Sequence, residues 1–346
     1  MFNSNSKFNS ISSTFLQLKW LTNSGFIFSL TVAIIVWIIW FSILGSEQIT
    51  QLLANNWTVS LTMLFGSIIA GGTSVGGGAV AFPVFTKVLM IPPDQARIFS
   101  LAIQSIGMTA ASLTIIITGI PIAWSVILWA SLGGLLGFTL GVQFLLPIIP
   151  PDVLKISFSL MLTSLAIALI LINQKTHNYY SLIKPLKITE KLIISGAGIV
   201  GGVMSSLVGN GIDIIVFSVI VLLFKLNEKI ATPTSVVIMA INAIIGFLIQ
   251  IFWLQDFSIT VQNYWLSSIP VVVLGAPLGA LICSKLSREI IVNILISLIM
   301  IELVSSLLLI PLNLTVMISG IATFLFFSGL NYWMYHYRNS LNHIVE

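Results

Sequence analysis

Apolar stretches about twenty residues long recur from Phe26 almost to the C-terminus, and they constrain this chain more than any other feature. A helix needs about 20 apolar residues to cross the hydrocarbon core of a bilayer. Asp, Glu, Lys and Arg make up only 7% of the 346 residues, against about 25% in an ordinary soluble domain. A water-facing surface cannot be built from that supply. Lipid admits only structures that satisfy their own backbone groups, so the sequence predicts an all-α polytopic membrane protein with about ten spans.

A polar segment, 1–25, precedes an apolar run at 26–45 that lacks an Ala-x-Ala-like cleavage site and reads as a retained first helix. Further runs fall at 57–90, 97–119, 122–146, 153–172, 190–224, 230–254, 264–284, 289–310 and 314–334. Two of them, 57–90 and 190–224, exceed one perpendicular helix at 1.5 Å per residue, and both carry glycines near the middle. Each reads as a half-helix, an unwound centre and a second half-helix. A shift of 133 positions lays Gly76, Gly77 and Gly78 on Gly209, Asn210 and Gly211, and a shift of 142 lays Gly133 and Gly137 on Gly275 and Gly279. The reading is two repeated four-helix halves, 57–172 and 190–310, joined by a linker at 173–191, with an extra helix at each end, the last at 314–334.

Basic residues orient such a chain. If each broken segment crosses once, Lys7, Lys19, Lys87, Arg97, Lys155, Lys225, Lys229, Lys285, Arg288 and Arg338 share one side, and the loops at 46–56, 119–121, 254–263 and 311–313 lie opposite without Lys or Arg. This is the expected arrangement, with both termini cytoplasmic. Lys175, Lys184, Lys187 and Lys191 of the linker then fall on the outer side. The alternative is that a broken segment is re-entrant and the halves are inverted.

An unwound centre inside a membrane is tolerated only where protein or a water-filled cavity meets it. Secondary transporters use such breaks to present free N–H groups and a positive half-helix end to a substrate, and glycine lets an anion approach the backbone. Gly76, Gly77, Gly78, Gly209, Asn210 and Gly211 are therefore the expected substrate-binding residues, with Ser100, Gln104, Thr234 and Ser235 following the two breaks. Gly133, Gly137, Gly275 and Gly279 suit close helix packing instead. Pro83 and Pro233 could set a bend or free a carbonyl. Asp213, two positions after Gly211 in an apolar run, could carry a coupling proton, bind a cation or cap the second half-helix. Glu302 is similarly embedded and suits a buried hydrogen bond, while Ser105, Asn242 and Asn293 are further polar residues able to line a cavity. Lys87, Arg97, Lys225 and Lys229 could draw an anion to the cytoplasmic mouth, although orientation alone also explains them.

No catalytic set is legible. His177, His336 and His343 lie in a loop or the tail, Cys283 is the single cysteine, and no Gly-Lys-Ser/Thr ending follows the glycine triplet. The expectation is no enzyme, no metal and no cofactor. The net charge of +4 is scattered along short segments and forms no stripe for nucleic acid.

Residues Gly72-Thr-Ser-Val-Gly76-Gly77-Gly78-Ala-Val-Ala-Phe-Pro83 resemble the Gly-x-x-x-Gly-Gly-Gly-x-x-x-x-Pro motif of the TauE/SafE sulfite exporter family, the TSUP transporters, over about residues 57–310. The second half departs from it: Gly209-Asn210-Gly211-Ile212-Asp213 stands where a triplet belongs, and Pro233-Thr234-Ser235 where members carry a small residue with Thr-Ser. The resemblance implies two related four-helix halves and a secondary transporter of sulfite, a sulfonate or a related organosulfur anion. Proton coupling and a cell-membrane location are part of that expectation. An anion channel, or a non-transporting structural or receptor-like membrane component, is the alternative.

Overall fold

The computed structural model describes residues 24–74, 84–173 and 186–337. Gly76, Gly77, Gly78 and Pro83 lie outside the described residues, as do both ends of the chain and most of the 173–191 linker. The helices are α1 (Ser24–Gly72), α2 (Pro93–Ile117), α3 (Trp124–Leu140), α4 (Pro151–Asn173), α5 (Ile188–Val208), α6 (Ile212–Ser218), α7 (Glu228–Ile249), α8 (Ile259–Lys285), α9 (Arg288–Leu309) and α10 (Leu314–Tyr337). Short π-helical turns at Val84–Val88, Gly141–Leu145, Val219–Leu223 and Gln250–Leu254 lead into α2 or extend α3, α6 and α7. Among the described residues nine helices are long and apolar enough to cross a bilayer, α1 counting once. The chain is an all-helical, multi-pass membrane protein.

At 49 residues α1 is far longer than one crossing, and its backbone leaves the helical region at Gly45 (φ 72°) and Asn56 (φ −122°). Contacts with α8 show that it doubles back. In the arm at 24–44, Trp37 and Trp40 donate to the carbonyls of Pro270 and Leu266, each at 2.9 Å, so this arm runs antiparallel to α8. In the arm at 57–72, Ser60 donates to the Ser267 carbonyl at 2.9 Å and Gly71 faces Ala276, so this arm runs parallel to it. The expected loop at 46–56 is largely helical, because Asn56 alone departs from helical angles within that stretch and Gly45 stands just before it.

Glycines bring backbones together where side chains could not fit. A Cβ added at Gly133 would collide with the Ser195 carbonyl, and one at Gly137 with the Ile199 carbonyl, so α3 lies directly on α5. In the same way Gly279 meets the Ile68 carbonyl and Gly275 meets Ser67, which seats α8 on the second arm of α1. Packing is the role of these four glycines.

The directions of α2, α3, α5 and α7 decide how the glycine-broken segments run. Ala123 N–H donates to Thr234 Oγ1 at 3.0 Å, and Gly134 and Gly246 face Asn242 and Phe138, so α7 is parallel to α3. Since α3 is also parallel to α5, helices α5 and α7 run the same way with only α6 and its π-helical turn between them. Ile212 lies against Gly201 and its N–H donates to Ser205 Oγ at 3.1 Å, so α6 turns back along α5. The segment 190–224 is a re-entrant helical hairpin, and the expectation of a single crossing is overturned for it. The second arm of α1 and α2 are likewise both parallel to α8, as Trp265 to the Ala102 carbonyl (3.0 Å) and Gly107 beside Val272 show, so the chain has returned to its starting face by Pro93.

Re-entrance redistributes the charges. Lys187, Lys191, Lys225, Lys229, Lys285 and Arg288 all sit at helix ends on one face, which the Arg288–Glu228 pair (2.5 Å) ties together. Lys87, Arg97 and Lys155 lie toward the opposite face, and each is ion-paired: with Glu302 (3.1 Å), Asp256 (3.5 Å) and Asp152 (3.1 Å). The expected grouping of Lys87, Arg97 and Lys155 with Lys225 and Lys229 is therefore corrected. Lys187 and Lys191 of the linker cease to be exceptions, because the start of α5 lies on the basic face.

Candidate functional site

The turn between α5 and α6 is forced by two glycines in conformations that side chains avoid. Gly209 has φ 85° and Gly211 φ 144°, and a Cβ at Gly209 would come 2.7 Å from the Arg97 carbonyl oxygen. The hairpin tip is thus pressed against α2 inside the protein. There it meets a polar stripe at i, i+3 and i+7 of α2, positions that share one helical face: Arg97, Ser100 and Gln104. Ser100 Oγ and Gln104 Nε2 donate to the Gly209 carbonyl at 3.3 and 3.2 Å, and Gln104 also reaches Ser100 Oγ at 2.5 Å. A narrow cavity lined by Met63, Ser67, Phe85, Ser100, Gln104 and Val272 opens beside this contact.

The amides of the break are not free. Gly209 N–H donates to the Ser205 carbonyl at 2.8 Å, Gly211 N–H to Asn210 Oδ1 at 2.9 Å and Asp213 Oδ1 at 3.2 Å, and Ile212 N–H to Ser205 Oγ at 3.1 Å. The expectation that this break offers open N–H groups to an anion is overturned. Ser, Asn and Asp at these positions bring their own acceptors, and an unpaired amide inside a membrane is costly enough for those acceptors to be used. The group the tip presents to α2 is a carbonyl.

Asp213 is 1% exposed, and its Oδ2 has no hydrogen-bond partner among the described residues. Asn242 Oδ1, next to Gly134 and the Ile212 side chain, is also without one. The backward contact from Gly211 N–H gives Asp213 a capping part, while Oδ2 remains available.

Arg97 is 3% exposed. Its Nη2 lies 3.5 Å from Asp256 Oδ2, its Nη1 3.5 Å from the Ser206 carbonyl, and its Nε has no hydrogen-bond partner among the described residues. Gln250 completes the group: with its side-chain amide turned so that both neighbours are satisfied, its amino side donates to both Asp256 oxygens at 2.5 and 2.8 Å, and its carbonyl accepts from Arg97 Nη1. Burial pushes the Asp256 carboxyl above the ordinary carboxylate range, and the Arg97 charge holds it back. Asp256 belongs to the connection after α7, outside the spanning segments. Sequence reasoning saw it only as part of a polar loop, since nothing in a single sequence joins position 97 to position 256.

The remaining expected residues are not gathered at this tip. Thr234 accepts from Ala123 N–H and donates to the Ile230 carbonyl at 2.7 Å, and Ser235 bonds to the Thr232 carbonyl of its own helix. Pro233 is buried within α7. Asn293 is exposed on α9, and Ser105 bonds to its own helix at Ala102. Glu302 forms a separate buried cluster, accepting from Lys87, from Ser159 at 2.7 Å and from Ser306 at 3.0 Å. Gly76, Gly77 and Gly78 lie outside the described residues.

In a comparison with protein-family models, residues 59–307 match Sulfite exporter TauE/SafE. No curated protein matches the chain, and no solved structure does.

Proposed function

The chain belongs to the sulfite exporter TauE/SafE family, and from that premise we propose that it is a secondary transporter of a small anion, most simply sulfite, a sulfonate or a related organosulfur compound. The observation that carries this reading is the re-entrant hairpin whose tip, residues 209–211, stops inside the protein against Ser100 and Gln104. A helix that ends within a membrane demands polar company, and transporters place substrate where such ends meet. Ser100 and Gln104 supply neutral donors there, and Gly209, Asn210 and Gly211 supply the backbone turn. Gly76, Gly77 and Gly78 are assigned the equivalent place in the first half, with Thr234 and Ser235 on the helix that follows the second break.

Two features support a pair of halves, 57–172 and 190–310, related by inversion. The glycine contacts correspond: moving Gly133 and Gly137 by 142 positions gives Gly275 and Gly279, and moving their partner Ile199 back by 131 gives Ile68, the partner of Gly279. Each half also carries helices opposite in direction to their counterparts, as α2 and α7 are. Alternating access then follows as a rocking of one pair of packed helices against the other. The basic face is cytoplasmic by the positive-inside rule, in the cell membrane. With no nucleotide site in the sequence, an electrochemical gradient provides the drive, and the buried Asp213 is the group proposed to carry a coupling proton.

The test is flux in proteoliposomes of labelled sulfite, sulfoacetate and sulfate, with and without an imposed pH gradient, comparing the native chain with Asp213→Asn. Saturable uptake of one of the three, stimulated by the gradient in the native chain and indifferent to it in the variant, is expected. Flux without saturation or coupling would point to a channel, and none of the three moving through correctly inserted protein would sink the substrate class.

A further inference from the structure

A buried guanidinium is expensive to desolvate and is retained where its donors are used. Arg97 uses them thinly: two contacts at 3.5 Å, one Gln250 carbonyl, and an Nε with no hydrogen-bond partner among the described residues. A guanidinium is a rigid fork suited to two oxygens of one anion at once, and the single Nη2 contact to Asp256 leaves most of that capacity idle. One and two turns further along the same face stand Ser100 and Gln104, both neutral donors. Asp256 itself is 36% exposed and sits on the short connection between Leu254 and Ile259, where a side chain can swing away.

We propose that Arg97 is the positively charged ligand of the transported anion, and that Asp256 occupies it in the substrate-free protein as a built-in competitor. This rests on the transporter reading above. An incoming sulfonate places two of its three oxygens on the Arg97 fork, with Ser100 and Gln104 donating to the third, and Asp256 is displaced toward the aqueous face.

A linkage follows. The charged and polar groups facing Asp256 are Arg97 and Asp94 on α2 and Gln250 after α7. Arg97 resists protonation of Asp256, while burial and Asp94 favour it. An anion that engages Arg97 removes the resistance, so anion and proton favour each other's binding, as reciprocal coupling requires. A monoanionic sulfonate entering with one proton on Asp256 adds no net charge to the site. The sign is definite: as pH falls through the Asp256 titration, Arg97 is released and KM falls; above it, Asp256 competes at full strength and KM is highest. This is separate from Asp213, whose loss is expected to change the response to an imposed gradient and not the affinity.

The probe is methanesulfonate, whose charge is constant across the physiological pH range, whereas sulfite titrates near neutrality and would confuse the profile. KM for labelled methanesulfonate is measured against pH in proteoliposomes for the native chain, Asp256→Asn, Arg97→Lys and Arg97→Gln, and stabilisation of each purified full-length protein by methanesulfonate is followed by thermal unfolding. Asp256→Asn is expected to lower KM several-fold at alkaline pH and to flatten its pH dependence. Arg97→Gln is expected to abolish saturable uptake and stabilisation, and Arg97→Lys to weaken both. An Asp256→Asn profile superimposable on the native one, or saturable uptake by Arg97→Gln, overturns the proposal. If Arg97→Gln does not fold, Asp256→Asn decides alone. If the native chain moves neither methanesulfonate nor the three earlier anions, the substrate class of the transporter reading fails by itself; methanesulfonate stabilisation that is greater in Asp256→Asn still upholds the Arg97 site, and its absence overturns it.

Discussion

Lys87 is held by three partners at once, Glu302 at 3.1 Å, Ser305 at 3.2 Å and Ser306 at 2.7 Å, with Ser159 and Ser306 also in mutual contact. Both charged side chains are 3% exposed. Removing one partner of such a pair strands the other charge and costs about 3–5 kcal/mol, whereas replacing both with apolar groups of similar size is often neutral. Lys87→Met should therefore lower the unfolding midpoint of the detergent-solubilised protein strongly, and Lys87→Met combined with Glu302→Met should restore most of it. A double variant no more stable than the single one would mean that the surrounding serines, and not the ion pair, dominate the cluster. The pair was half visible in the sequence: Glu302 stood out as a carboxylate in an apolar run, but its partner lies 215 positions away and no local pattern connects them. The pairing of Arg97 with Asp256 was missed for the same reason.

At the scale of elements, the apolar runs and the glycine-marked break at 209–211 were legible because both follow from local chemistry, hydropathy and backbone freedom. Direction was not. Hydropathy reports how much chain can be buried in lipid, and a hairpin that enters and leaves by the same face satisfies it as well as a continuous crossing does. The glycines now divide into two kinds with different expected behaviour. Gly209→Ala forces a side chain into the left-handed region, at roughly 1–2 kcal/mol, and drives its Cβ to 2.7 Å from the Arg97 carbonyl; both stability and flux should fall. Gly137→Ala and Gly279→Ala collide with backbone carbonyls of a neighbouring helix and should reduce folded yield to a similar degree, since their surroundings correspond. Gly196 has nothing within 4 Å of its would-be Cβ, so Gly196→Ala should be neutral or slightly stabilising by helix propensity. Equal yields from Gly137→Ala and Gly196→Ala would contradict the α3–α5 packing.

For the whole molecule, the re-entrant arrangement makes a prediction that the single-crossing reading reverses. Met90 and Ile259 are 78% and 76% exposed at the face opposite the basic one, while Ile188 is 71% exposed on the basic face. In a Cys283→Ala background, single cysteines at Met90 and Ile259 should react with an impermeant maleimide from the same side of the membrane, and a cysteine at Ile188 from the other. Labelling of Met90→Cys from the same side as Ile188→Cys would restore the single crossing of the first broken segment. The pairing of helices across the two halves has a further consequence for biosynthesis. The second arm of α1 rests on α8, and the contact of Ser60 with Ser267 spans 207 residues of chain. At about 5–20 residues per second of synthesis, that arm waits on the order of 10–40 seconds for the helix that buries its small-residue face. During that interval the nascent protein holds its glycine-lined surfaces against lipid alone, so a ribosome stalled near the middle of the message would leave in the membrane a piece whose own helices cannot complete either packing contact.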